Sequence, residues 1–274
     1  MNIDKLFPVA GSHAVQNAAF IIEWAEPLSS DVLLSAMKLA TKFRNLDLPY
    51  YVPQNSIEVK LDGLANSVGE SVGHGKAKMS GVLFSRDPVQ PGVMSRQVTF
   101  SRQHCIILVP DYHGWDIVFS EVKAYLKVLL AEVGPLRPIK TIGLQYTNLF
   151  QWKDDPSDLD FSKVFLDDFF IPRHALNQKG LWHLHHGYIE NHQNPVPYSV
   201  LENINVDIGD VSGERAIQIV ASHRATLNDP IWKSQAANQD KVFEIFDNLH
   251  ASNKLMLQRL LAAEVSAKIG LNGR

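Results

Sequence analysis

Five of the 11 histidines in this sequence fall close together: His174, His183, His185, His186 and His192. On an extended strand His183 and His185 point to the same face. An H-x-H pair of this kind can offer two imidazoles to one metal ion, and zinc sites commonly need a third or fourth ligand from elsewhere. His223, Glu190 and Asp207 lie on neighbouring expected strands and are the candidates to complete the set. The plainer alternative, and the preferred one, is a polar strand face, because no second ligand motif such as H-E-x-x-H accompanies the pair.

The single cysteine, Cys105, sits in the run His104-Cys105-Ile106-Ile107-Leu108-Val109. A reactive thiol needs exposure and a lowered pKa, and these apolar neighbours favour a buried, inert one instead. Asp111, Tyr112 and His113 lie where a strand gives way to a helix, with Asp116 in its first turn. Such positions attract anions and often house active sites, but capping of the helix is the preferred account of the aspartates. Asp154, Asp155, Asp158, Asp160, Asp167 and Asp168 form an acidic stretch that reads as a solvated linker rather than a metal site. Arg86, Arg96, Arg102, Arg137 and Lys140 are basic groups that could converge on the first sheet. An exposed face shared by Arg96 and Arg102 would bind phosphate.

Several signatures are missing. There is no phosphate-binding G-x-x-x-x-G-K-[ST], no G-x-G-x-x-G after a strand, no G-x-S-x-G elbow and no C-x-x-C. P-loop hydrolysis, Rossmann dehydrogenation and α/β-hydrolase chemistry are disfavoured accordingly, and no cofactor is indicated.

The elements that would position these groups follow from periodicity. Strands are expected at 18–25 and 57–61, with a helix at 32–43 between them and a break at 45–53. Residues 62–80, with Gly63, Gly69, Gly73 and Gly75, read as a loop. Strands follow at 81–86, 96–102 and 104–112, the last one central because its middle is continuously apolar. Trp115, Val118, Phe119, Val122, Tyr125, Leu126, Leu129 and Leu130 recur at helical spacing and predict a helix over 115–133, stopped by Gly134-Pro135. A long strand is expected at 139–152, then a hinge at 153–160 and a short helix at 161–171. Strands at 181–191, 200–209 and 215–226 and a closing helix at 239–268 complete the chain. Strands and helices do not alternate strictly, which disfavours a doubly wound parallel sheet. The expected class is α+β, with antiparallel sheets, helices packed on one face and two related halves: an N-terminal half, 1–152, and a β-rich C-terminal half, 153–274.

Apolar residues make up 45% of the chain and charged residues 20%, with a net charge of −3. That balance suits a globular core and speaks against a nucleic-acid coat, which shows a basic surplus. The start lacks the basic and apolar stretches of a secretory signal, and no window approaches the roughly 18 apolar residues of a membrane span. One cysteine allows no internal disulfide. A cytoplasmic protein is expected.

Three features together resemble a known family. The helix over 115–133 leads into Lys140-Thr141-Ile142-Gly143-Leu144-Gln145-Tyr146-Thr147-Asn148, and Leu249-His250 follows within the closing helix. This resembles a sporadically distributed family of uncharacterised bacterial and archaeal proteins of about 260 residues, marked by an I-G-L-R-Y-x-N strand and a late L-H motif. Gln145 stands where that family usually has arginine, removing a charge. Tyr146, Asn148 and His250 of these motifs, with Arg96 and Arg102, are the candidate ligand-binding residues, and the family's patchy occurrence implies an accessory place in defence or mobile-element gene neighbourhoods. The expected function is therefore a non-catalytic binding or assembly protein, with a protein partner or a second copy of itself. A metal enzyme built on His183, His185 and His223, and a single-stranded nucleic-acid binder using Arg96 and Arg102, are the alternatives.

Overall fold

The computed structural model describes residues 2–57, 77–133, 137–167, 170–211, 213–232 and 237–271. Its frame is a ten-stranded sheet in which every paired neighbour is antiparallel. In chain order the strands are β1 (Leu6–Pro8), β2 (Val15–Trp24), β3 (Tyr50–Ile57), β4 (Ala77–Ser85), β5 (Gln97–Ser101), β6 (His104–Val109), β7 (Ile139–Trp152), β8 (Trp182–His192), β9 (Tyr198–Val211) and β10 (Glu214–Ile231). Across the sheet they run β3-β4-β5-β6-β2-β7-β10-β9-β8, with β1 added beside β7. The helices are α1 (Ser30–Ala36), α2 (Ala40–Arg44), α3 (Trp115–Val133), α4 (Phe161–Val164), α5 (Arg173–Leu176), α6 (Ala237–Leu260) and α7 (Ala263–Lys268). The α+β class with antiparallel pairing is as the sequence predicts.

The sheet obeys the period of two that its sequence carries. In β10, Ile217, Ile219, Ala221, His223, Ala225 and Leu227 are buried, while Gln218, Val220, Ser222 and Arg224 between them are more exposed. In β7 the even residues Ile142, Leu144, Tyr146 and Phe150 join the core. The predicted stripe of α3 is buried from Val118 to Leu130. Phe20 of β2 stacks near Phe119 of α3 and Phe246 of α6, with ring centroids at 6.1 and 5.6 Å. Burying one such ring stabilises the fold by about 1.5–3 kcal/mol.

Some boundaries differ from the sequence prediction. The expected break at 45–53 contains the start of β3 at Tyr50, and Pro53 is tolerated because β3 is an edge strand. Of the strand expected at 57–61, only Ile57 lies within the described residues. The loop expected at 62–80 gives way to β4 at Ala77, and its positions 62–76, like the Gly134-Pro135 stop, lie outside the described residues. The short helix of 161–171 ends at Val164. The closing helix is broken at Leu261-Ala262, because the backbone there turns to pair with another segment. Leu166 N–H donates to Leu260 O at 2.9 Å, Ala262 N–H donates to Val164 O at 2.9 Å, and Phe165 and Leu261 form a bridge.

The sheet continues through position 152, where the sequence suggests a hinge to follow: β7 pairs with β10 from Ile139 to Trp152, and on its other edge with β2 as far as Asn148 and with β1 from Phe150 to Trp152. The buried side chains nevertheless gather into two clusters. One surrounds α1, α2, α3 and the first part of α6, and the other surrounds α4, α5, α7 and the end of α6.

Candidate functional site

Between the end of β6 and the start of α3 the chain makes a short loop, residues 110–114, and its geometry is fixed from below. Arg96, only 2% exposed, donates from Nε to Asp111 Oδ1 at 2.9 Å and from Nη2 to the Asp111 carbonyl at 3.2 Å, while its Nη1 pairs with Glu121 of α3. Arg86 pairs with the same Asp111 and, at 2.7 Å, with Asp47. Burial alone would raise the Asp111 carboxyl, but the Arg96 and Arg86 guanidiniums hold it below the usual carboxylate range. Gly114, at φ +104°, then turns the chain into α3, a backbone conformation that side chains rarely adopt.

The clamped loop delivers Tyr112 and Trp115 to an open cleft of about 1080 Å³. Its other walls come from residues 10–15, from Tyr146 and Asn148 of β7, from His250, Asn253, Lys254 and Leu257 of α6, and from the segment 269–271. Tyr112 meets Tyr146 edge-on, with ring centroids 5.8 Å apart, and their hydroxyls share a hydrogen bond. The Tyr146 hydroxyl lies 2.9 Å from His250 Nδ1. The His250 ring stacks on Trp115 at 4.0 Å with 2° between the planes, and the Trp115 indole N–H donates to Asp247 Oδ1 at 2.9 Å, one turn earlier on α6.

This packing decides the charge state of the cleft. Burial, with help from the Lys254 cation, pushes the His250 imidazole down to about 4. Burial pushes the Tyr112 phenol up to about 12 and holds that of Tyr146 well above its ordinary value. At neutral pH the chain Tyr112–Tyr146–His250 is therefore uncharged. It occupies His250 Nδ1 and leaves Nε2 with no protein partner among the described residues. Asn148 donates its amide to the Ile219 carbonyl at 3.4 Å, so its own carbonyl oxygen is left unengaged beside the same cleft. Behind this wall Asn253 Oδ1 lies 3.2 Å from Nε2 of the fully buried His223, and His223 Nδ1 pairs with the carboxylate of Glu202.

The sequence candidates separate into two groups. Tyr146, Asn148 and His250 come together here, joined by Asp111 and His113. His183 and His185 do not join His223: the first two are exposed on the outer face of β8, opposite Asp207 and Asn205, whereas His223 points into the core from β10. A strand pair cannot bring residues of opposite faces to one ion, so this metal set is corrected, and no group of three or more potential ligands exists among the described residues. Arg96 is buried in ion pairs, and Arg102 donates from Nε to the Leu28 carbonyl at 3.0 Å, so the two do not present a phosphate-binding face. Cys105 is buried, which pushes its thiol up and away from reactivity. Asp155 and Asp160 accept from the backbone N–H groups of Ser157 and Ser162 and cap short helical turns, while Asp167 pairs with Arg173. Asp168 lies outside the described residues. Sequence reasoning missed Trp115, Asn253 and Lys254 as members of the site. The available signal was His250, Asn253 and Lys254 at i, i+3 and i+4, which share one helix face.

No protein-family model matches the chain, and no curated protein matches it. Among solved structures it is similar to the crystal structure of the di-domain ARO/CYC BexL from the BE-7585A biosynthetic pathway, with 12% identity over 94% of this chain and 99% of that one, at a TM-score of 0.20. A likeness at that score establishes neither a shared fold nor a shared activity.

Proposed function

We propose that the protein is a non-catalytic binding protein that holds a small polar molecule in the cleft at the start of α3. The observation that carries this reading is convergence: His250 Nε2, the Asn148 carbonyl and the Asn253 side chain line one concavity beside the Trp115 and Tyr112 rings. Small-molecule sites are usually concave, with aromatic walls and a few well-placed polar groups. The chain Tyr112–Tyr146–His250 locks the imidazole in position, which lowers the cost of ordering it on binding. A catalytic role is less well supported, because no nucleophile stands beside a base here.

The strand order supports a finer architectural reading. On one side of the β2/β7 seam lie β6, β5 and β4, and on the other lie β10, β9 and β8, each set followed in the chain by a long helix. We read this as two related halves with the long helices on a common face. The cleft then lies at their junction, a frequent position for ligands. The motif residues Tyr146, Asn148 and His250 meet at this cleft, which favours the family resemblance as a marker of the binding site. An accessory role in a defence or mobile-element system rests on that resemblance, as does the expectation of a protein partner.

The test is a fragment screen followed by NMR. Fragments that bind should move the Trp115 indole resonance and the His250 ring signals together, and His250→Ala should abolish both responses. A library of polar fragments that leaves both sets of signals unmoved would overturn the assignment.

A further inference from the structure

The pair behind the cleft wall is unusual in its burial. His223 is 0% exposed and Glu202 1%, on adjacent strands β10 and β9, and the second carboxylate oxygen of Glu202, Oε1, is buried with no hydrogen-bond partner. An ionised carboxylate with an orphaned oxygen in the core is costly unless a charge compensates it. Tyr188 lies opposite Glu202 on β8, and Tyr198 stands four residues before it on β9, both unionised phenols. On the other side stand Asn253 and the neutral His250 of α6. His223, in direct contact with that carboxylate, is the group placed to compensate it.

The ring nitrogens of His223 meet two acceptors, the Glu202 carboxylate at Nδ1 and the Asn253 Oδ1 at Nε2. An imidazole that donates from both nitrogens carries two protons. The Asn253 amide is then turned with its carbonyl inward, and its NH2 group, which has no partner among the described residues, faces the cleft that Asn253 lines. His250 and Lys254 lie three residues before and one residue after it on the same helix face, and Lys254 has no ion-pair partner among the described residues.

We infer that the buried Glu202–His223 pair sets the orientation of the Asn253 amide, and that the cleft consequently selects a small carboxylate as its ligand. This rests on the cleft being the binding site. The Asn253 NH2 and the Lys254 ammonium supply the donors, and the aromatic walls of Trp115 and Tyr112 receive the apolar remainder of the ligand. Asn253 is the specificity-determining residue, and Glu202 and His223 are positioning residues that act through it. Were His223 neutral with its proton on Nδ1, Nε2 would accept from Asn253, the amide would turn over, and the cleft would present a carbonyl. The same site would then prefer a donor.

Three probes of one shape separate these states: benzoate offers two acceptors, benzamide one acceptor and one donor group, and benzamidinium only donors. The wild type should bind benzoate about tenfold or more tightly than benzamide, the worth of a charge-assisted hydrogen bond, and benzamidinium least. Glu202→Gln is isosteric and removes the counter-charge, so His223 becomes neutral, Asn253 turns over, and the preference for benzoate over benzamide falls by about tenfold, while the Lys254 ammonium still disfavours benzamidinium. Nitrogen NMR on histidine-labelled protein supplies a readout that needs no ligand: both His223 nitrogens should carry protons in the wild type and one in Glu202→Gln. A singly protonated His223 in the wild type, or an unchanged benzoate-to-benzamide ratio in a folded Glu202→Gln variant, overturns the inference. If His223 is doubly protonated but none of the three probes binds, the carboxylate assignment falls. Polar fragments that still move the Trp115 and His250 signals would then leave the binding cleft standing, and their absence would remove it too.

Discussion

The Trp115 indole and the His250 imidazole lie face to face, 4.0 Å apart and within 2° of parallel, although 134 residues of sequence separate Trp115 from the first residue after Leu249. One ring opens α3 and the other sits just past the middle of α6, so this contact joins the two long helices at the cleft. Because the imidazole is sandwiched between an indole and a phenol hydroxyl, its protonation is coupled to the integrity of the fold.

That coupling has a sign. His250 is held at about 4 in the folded protein against an ordinary value of 6.5, so between these limits the unfolded chain binds more protons than the native one. Stability should rise from pH 4 to 6.5 and be fully present above it, with His250 contributing up to about 3 kcal/mol. Burial lowers His13 too, which acts in the same direction. Urea unfolding at a series of pH values checks this, and His250→Gln should flatten the slope over that window.

Tyr146→Phe removes the hydroxyl that engages His250 Nδ1 and leaves a largely buried nitrogen unsatisfied. A loss of about 1–3 kcal/mol is expected. Thermal unfolding measures the loss. The change should also free the imidazole to rotate, so the Trp115 fluorescence should shift although residue 115 is untouched.

Arg96→Met breaks the clamp beneath the 110–114 loop. It leaves Asp111 with Arg86 alone and Glu121 unpaired, at a cost of about 3 kcal/mol. Arg96→Lys should recover little of it, since one ammonium cannot span Asp111 and Glu121 together as the planar guanidinium does. Chemical denaturation of both variants decides the point.

Gly81→Ala tests the packing of β4 between β3 and β5. A methyl group at Gly81 would lie 2.6 Å from the Phe100 carbonyl oxygen, which is backbone and held in the sheet. The strands must separate locally, and a loss of about 1–3 kcal/mol is expected. The same substitution at Gly143 meets Ile21 Cβ at 3.3 Å, an overlap relieved by a shift of a few tenths of an ångström, and should cost less. Comparing the two melting temperatures is sufficient.

The strands and the two long helices were legible in the sequence because each carries one strong period: alternation in β9 and β10, and a continuous i, i+3, i+4 stripe in α3. The broken end of α6 was not legible, since the backbone pairing of Val164–Leu166 with Leu260–Ala262 leaves no pattern in side chains. The site was half legible. His250 and Tyr146 stood out through the family resemblance, whereas Trp115 was absorbed into a helix stripe and Asn253 has no motif. The pairing of Glu202 with His223 depends on the register of β9 against β10, which the sequence does not specify. The same register question undid the metal set, because His183 and His185 were counted on one face correctly and His223 was assumed to share it.

The walls of the cleft come from stretches near residues 12, 112, 146, 253 and 270. Contacts so distant along the chain form slowly, because a large loop entropy must be overcome before they contribute. During refolding, sheet signals should therefore return before the Trp115 signal reports His250 beside it. The cleft is complete only when segments from both ends of the chain have been brought against β7, so it belongs to the assembled protein and to no single part of it.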